Sequence, residues 1–240
     1  MTELRELNRP MNSLKSSSIA RFLRLLAVSL AALTSLAVTP VLGDTIKILP
    51  VDEAAQDPEF LDFRDRLLTA VRKRDLDAVV AVATEDIKLS FGGGYGRAQF
   101  RERLLADDNG AGGSYWEELE WALKLGGVFS GEHRRHFCTP YVSCAGSHQC
   151  SYCDPFEILV AINDRAPVYA AADATAPVIA RLSFDVVTLV DYGSQWQQVR
   201  LADGQTGFVA FPEFRSPIGY RAAFEKREEN WRMRLFIAGD

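Results

Sequence analysis

The stretch "HFCTPYVSCAGSHQCSYC", residues 136–153, holds all four cysteines of the chain, and His133 lies just upstream, so every thiol and every imidazole falls between His133 and Cys153. Thiols and imidazoles bind soft metals, exchange disulfides and attack electrophiles. The cysteine spacing is C-x5-C-x5-C-x2-C, whereas a zinc ribbon calls for two C-x2-C knuckles. His133 and His136 are three apart, a spacing that sets two rings side by side on a helical turn, so a metal site stays open. A redox pair at Cys150 and Cys153 should open a helix after a strand; here "CSYCDPF" runs into Pro155 instead. In an exported chain an even cysteine count favours disulfides among Cys138, Cys144, Cys150 and Cys153, with three connectivities possible.

The compartment therefore decides the chemistry. Residues 1–24 carry Arg5, Arg9, Lys15, Arg21 and Arg24 against Glu3 and Glu6, and the uncharged run "LLAVSLAALTSLAVTPVL" follows at 25–42. A basic region, a short apolar region and the small-residue exit "VLG" before Asp44 predict a signal peptide over residues 1–43. The run falls slightly short of the ~20 apolar residues of a spanning helix and contains Pro40. The mature protein is expected in the periplasm or secreted, with no membrane contact beyond that segment. Taking the five basic and two acidic residues of 1–43 from totals of 27 and 32 leaves 22 and 30, a net charge of −8. That balance disfavours nucleic acid and anionic lipid as partners.

Other chemistry finds little footing. "SFGGGYGRAQF" sits between a strand and a helix, but Gly92, Gly93, Gly94 and Gly96 match no phosphate-loop spacing and Arg97 is its sole cation. No G-x-S-x-G or H-E-x-x-H occurs. Acidic pairs such as Glu117/Glu118 and Glu228/Glu229 read as solvated faces. No cofactor and no resident metal is called for.

The elements that must position these groups change character along the chain. Residues 44–56 read as an exposed lead-in. Asp57 and Pro58 suit the N-cap and first position of a helix whose Phe60, Phe63, Leu67, Leu68 and Val71 share a face. A short helix follows Asp75, "IKLSF" (87–91) alternates as a strand, and "RAQFRERLLAD" is a third helix. Ser114 and Glu117 have capping-box spacing for a fourth, which Gly126-Gly127 ends. From 156 onward, short β-branched or aromatic segments are separated by turns at intervals of about ten residues, the signature of a small antiparallel barrel. The alternating segments "IGYRAAFEK" and "NWRMRLFIAG" form a final hairpin.

The stretch from Val168-Tyr169 through "APVIARL" to "WQQVRLADGQTGFV" resembles the bacterial Src-homology-3-like domain. Trp196, Val199, Asp203-Gly204, Gly207 and Val209 stand at the motif positions, and the resemblance covers residues 158–213. The first strand reads "PVYA" where the family often has N-V-R. This resemblance implies a module that docks cell-wall peptides or protein segments. The order helix–helix–strand–glycine loop–helix, with the late "WRMRLFIAGD", resembles nuclear-transport-factor-like cone folds. That second resemblance implies helices over a strongly bent sheet, to which the last strand returns, making the barrel an insertion.

The expected fold is α+β: a helix-rich α+β domain (44–132), a Cys/His-rich connector (133–155), a small SH3-like β-barrel (156–215) and a C-terminal β-hairpin (216–240) that completes the first domain. The expected function is that of an exported, non-catalytic binding protein of the cell envelope, taking a cell-wall polymer or a protein segment. Tyr192 and Trp196 are its candidate ligand-binding residues, with Tyr192 the most exposed barrel aromatic and Phe208 the most buried. The alternatives are an envelope metal-binding or redox protein using the His133–Cys153 cluster, and an enzyme working in the concave face of the first domain.

Overall fold

A computed structural model describes residues 45–110, 113–193 and 195–239. The expected signal peptide lies outside the described residues. The fold is α+β, as the sequence predicts, and it contains two sheets within one compact unit.

Helix α1 (Pro58–Arg72) starts where the Asp57 carboxylate accepts hydrogen bonds from the backbone N–H groups of Glu59 and Phe60, with Pro58 in the first turn. Helix α2 (Leu76–Ala81) is capped by Asp75 and helix α4 (Tyr115–Lys124) by Ser114. Helix α3 (Arg97–Ala106) runs between them. Their apolar faces bury against a five-stranded sheet of β1 (Ala83–Lys88), β2 (Val128–Ser130), β3 (His136–Thr139), β11 (Arg221–Arg227) and β12 (Asn230–Ile237). Its order is β1-β12-β11-β3-β2, parallel only between β1 and β12. Phe60 sits at the centre, its ring 4.2 Å from Phe137, 4.7 Å from Trp231 and 5.6 Å from Phe224 by centroid. Such tilted and edge-on contacts suit the ring quadrupole.

Three features of this sheet depart from the sequence reading. The first strand begins at Ala83, not Ile87, because it follows the partner at Met233 rather than the local alternation. "VFS" and "HFCT" are strands, so four residues of the Cys/His-rich segment belong inside the first sheet. The hairpin β11–β12 pairs with both β3 and β1, and its turn holds Glu228 and Glu229 at positive φ, the backbone of a tight two-residue hairpin loop.

Between β3 and β11 the chain builds the second sheet, of order β10-β4-β7-β8-β9-β5-β6 and antiparallel throughout. The strands are β4 (Ile158–Ala161), β5 (Ala166–Tyr169), β6 (Val178–Leu182), β7 (Val186–Tyr192), β8 (Trp196–Arg200), β9 (Thr206–Ala210) and β10 (Phe214–Arg215). Leu159, Val168, Val187, Val199, Val209 and Phe214 gather into one core on its inner face. The expected barrel is corrected here: the edge strands β10 and β6 do not pair, so the ladder stays open. Turn spacing specifies short strands, but closure also needs a matching stagger that spacing does not encode.

Two burial expectations are also corrected. Phe208 is only half-buried, while Gly207 and Val209 on either side face inward. A Cβ on Gly207 would lie 2.6 Å from a Val168 methyl, so only glycine fits, and strand alternation then turns Phe208 outward. The lead-in is exposed along much of its length but anchored at Ile48 and Ala54, which are buried. Ile48 is buried beside Tyr141, Val142 and Ile158, and the backbone of Ile46 and Ile48 hydrogen-bonds to Val186 and Phe184. Glu53 then reaches the first sheet, where its carboxylate accepts from the Phe129 N–H. Residues 46–53 thus fasten the two sheets together. Strand β4 is buried along its whole length because this strap and helix α5 (Tyr141–Cys144) cover its outer face.

Candidate functional site

The cysteines form two disulfides, Cys138–Cys144 and Cys150–Cys153. The first ties β3 to α5. The second closes the turn that follows helix α6 (Gly146–Gln149), with Cys150 at the helix C-terminus. A C-terminal position offers no N-terminal dipole to stabilise a thiolate, so the placement is that of a staple rather than a redox pair. All four sulfurs are consumed, which removes them as metal ligands in this form. His133 lies in a 3-10 turn at positive φ and His136 on β3, not on one helical turn. Among the described residues no group of three or more His, Cys, Asp or Glu side chains is arranged to hold a metal ion. Two disulfides fit an oxidising compartment. Among the described residues no helix is long and apolar enough to cross a membrane.

The glycine loop offers no free cation either. Arg97 donates to the Ala83 carbonyl and pairs with Glu85. The face of the first sheet under the helices is filled by Phe60, Phe100, Tyr115, Phe137 and Phe236, all fully buried.

A concave site does exist between the two sheets. It has two adjoining lobes, of about 370 Å³ and about 420 Å³, which share Asn109, Glu118, Tyr192, Gln197 and Phe211. Ligand pockets of drug-sized molecules span about 300–1,000 Å³. Tyr192 ends β7 and is 69% exposed. Its cross-strand partner on β8 is Gln197, so the two share a face. Gln197 is buried and its side-chain N–H donates to the Gly193 carbonyl, which fixes the turn below Tyr192. Phe156 and Phe211 are half-exposed and complete an aromatic rim.

The floor of the cleft is an ion pair. Arg215, on β10, is buried to 2% exposure and donates through Nη2 to Glu118 Oε2 at 2.6 Å; Glu118, on α4, is 12% exposed. The guanidinium also stands 4.8 Å from the Phe211 ring centroid. Arg215 Nη1 is buried and has no hydrogen-bond partner among the described residues. The pair bridges the layers, since Glu118 belongs to the first sheet's helices and Arg215 to the second sheet.

The loop above it is pinned in turn. Asp107 accepts from the Ser114 hydroxyl, the Trp116 N–H and Arg74. Burial alone pushes its carboxyl up, but these donors outweigh it and hold the group below its ordinary value. Tyr220 donates to the Asn109 carbonyl at 2.9 Å, and burial pushes its phenol up.

Of the residues singled out from sequence, Tyr192 lies on this cleft and Trp196 does not. Trp196 precedes Gln197 on β8 and therefore faces the other side, half-buried edge-on against Tyr169 at 5.4 Å. Glu118, read as part of a solvated face, is instead the buried acceptor of the ion pair. Phe156, Gln197, Phe211 and Arg215 were not singled out, and no local signal marks them. Arg215 and Glu118 are 97 residues apart, a contact that only the folded chain creates.

No family model matches the chain, and no curated protein matches it. The Src-homology-3-like resemblance of residues 158–213 finds no support there. Among solved structures the chain is similar to an NTF2-like protein of unknown function from Pseudomonas putida KT2440, at 13% identity over 78% of this chain and 87% of that one, with a TM-score of 0.25. An overlap that loose carries no argument about this cleft.

Proposed function

We propose that this is an exported, non-catalytic binding protein of the cell envelope that holds a cell-wall polymer or a protein segment in the cleft between its two sheets. The observation that carries this reading is Tyr192, a 69%-exposed aromatic on the rim of a concave surface whose floor is a buried ion pair. Exposed aromatics grouped at a concavity are the usual anchors of recognition, because rigid rings contribute contact area at little entropic cost. The two disulfides support an oxidising setting, and the acidic balance of the chain supports a ligand other than nucleic acid.

The test is retention on purified cell-wall material, using wild type, Tyr192→Ala and Tyr95→Ala. Tyr95 is 71% exposed in the glycine loop and lines neither lobe, so it controls for aromatic stickiness. The expected result is loss of retention for Tyr192→Ala alone, with all three melting within a few degrees of one another. Absence of retention in wild type would exclude the cell-wall ligand, and equal retention by all three would exclude the cleft.

A further inference from the structure

We infer that the larger lobe of the cleft takes a basic side chain, lysine or arginine, of an extended protein segment, with its cation set between the exposed Tyr192 ring and the Glu117 carboxylate. The inference rests on the binding reading above and names the ligand chemistry.

Three aromatic rings, Trp121, Tyr192 and Phe211, and two carboxylates, Glu117 and Glu118, line the lobe of about 420 Å³, and among the described residues no lysine or arginine lines it. Glu118 is already matched by Arg215 at 2.6 Å. Glu117 is not matched. It is exposed in the first turn of α4, and its carboxylate has no ion-pair or hydrogen-bond partner among the described residues. The charge that an incoming ligand meets here is therefore negative and accessible. Two of the rings already serve the chain's own cations: Lys124 Nζ stands 4.3 Å from the Trp121 centroid, and the Arg215 guanidinium 4.8 Å from that of Phe211. Tyr192 is exposed and has neither a ring nor a cation against it among the described residues. A cation over an aromatic face is attracted by the ring quadrupole. A carboxylate on the same lobe adds charge attraction and accepts from N–H donors. An anionic ligand gains from neither group, and a neutral one leaves Glu117 unused.

The adjoining lobe selects a protein segment over a free amine. It measures about 370 Å³, its charged residues Glu118 and Arg215 are paired with each other, and Phe156, Leu189, Phe211 and Ile218 give it apolar walls. Tyr192, Gln197 and Phe211 line both lobes, so the two are continuous. A small amine fills one lobe only. A chain that places a basic side chain in one and a neighbouring apolar side chain in the other fills both, and it gains by removing apolar surface from water. The methylene stem of the basic residue packs along the Tyr192 ring while its charged head reaches Glu117. The acidic balance of the chain as a whole draws such a partner in.

The experiment is calorimetric titration of the disulfide-bonded protein, purified from an oxidising compartment. The probes are capped pentapeptides that place lysine, arginine, norleucine or glutamate before a leucine in an otherwise alanine chain, with a neutral N-acetylated oligosaccharide as the saccharide arm. The better of the two basic peptides should bind about tenfold more tightly than the norleucine peptide, which keeps the stem and lacks the charge; that factor corresponds to ~1.4 kcal/mol. Added sodium chloride should weaken the basic peptides and leave the norleucine peptide unchanged. Both comparisons use wild-type protein, so the test does not depend on a variant that folds. Glu117→Gln should bring the basic peptides close to the norleucine peptide, and Tyr192→Ala should weaken all of them. Equal binding of basic and norleucine peptides, tighter binding of the glutamate peptide, no effect of Glu117→Gln, or no binding of either basic peptide at millimolar concentration would overturn the inference. Saccharide binding tighter than that of any peptide, and lost in Tyr192→Ala, would overturn it and leave the cleft reading standing. Binding of every probe unchanged in Tyr192→Ala would overturn the cleft itself.

Discussion

Removing the Glu118 carboxylate should destabilise the protein far more than its position on an amphipathic surface helix implies. Arg215 is buried to 2% exposure, its Nη2 has Glu118 as acceptor and its Nη1 has none among the described residues. Glu118→Ala therefore leaves a whole guanidinium buried without a counter-charge. Breaking such a pair from one side costs about 3–5 kcal/mol. That is a large share of a typical ~5–15 kcal/mol stability. For a domain of this size the loss corresponds to a fall in melting temperature of about 6–20 °C, at ~2–4 °C per kcal/mol. Arg215→Met should cost less, because Glu118 borders the open cleft and can be hydrated. The double variant Glu118→Ala/Arg215→Met removes both charges and should recover most of the loss seen in Glu118→Ala. Thermal melts by circular dichroism, with the four proteins arranged as a double-mutant cycle, measure the coupling directly. Additive effects, or a Glu118→Ala melt within two or so degrees of wild type, would refute the argument that this pair is the buried floor of the cleft.

Ile48, on the strap, is fully buried against β4 and α5, so Ile48→Ala should cost about 2–5 kcal/mol in urea unfolding; a surface-like change would mean the strap does not hold the sheets together. Non-reducing peptide mapping should recover Cys138 linked to Cys144 and Cys150 linked to Cys153, and reduction should lower stability by about 2 kcal/mol per bridge, as expected for such short loops; crossed linkages would contradict the placement of β3 and α6. The Asp107 carboxyl is held below its ordinary value of 3.8 in the folded state, so its contribution is present at neutral pH and is lost as pH falls through that lowered value. The stability gap between wild type and Asp107→Asn should therefore narrow in acid, and a pH-independent gap would show that the Ser114 and Arg74 contacts do not favour the ionised form.

What was legible in the sequence follows from whether the determining contacts are local. The starts of α1 and α4 are written in Asp57-Pro58 and in Ser114, whose side chains bond the backbone two or three residues on. Six of the seven strands of the second sheet, β4 to β9, are legible for the same reason, since each is bounded by its own turn; the two-residue β10 is not. Strands β2 and β3 were missed because they are three and four residues long, too short to display alternation; β3 exists through pairing with β11, and β2 through pairing with β3. Phe208 was misplaced because its hydrophobicity outweighed its phase; Gly207 and Val209 flanking it hold the correct one. Tyr192 was found because it is an aromatic next to a turn, where burial is difficult. Arg215 looked like any charged residue near a proline, and only its burial opposite Glu118 marks it out.

The central claim is that ligand enters between the sheets on the Tyr192 side. The most direct measurement is a map of NMR chemical-shift changes as soluble cell-wall fragments are added to the isotope-labelled protein. The account predicts that the perturbed amides and side chains cluster at Glu118, Tyr192, Gln197, Phe211 and Arg215. Shifts gathered instead around Trp196 and Tyr169, on the opposite face of β8, would contradict it.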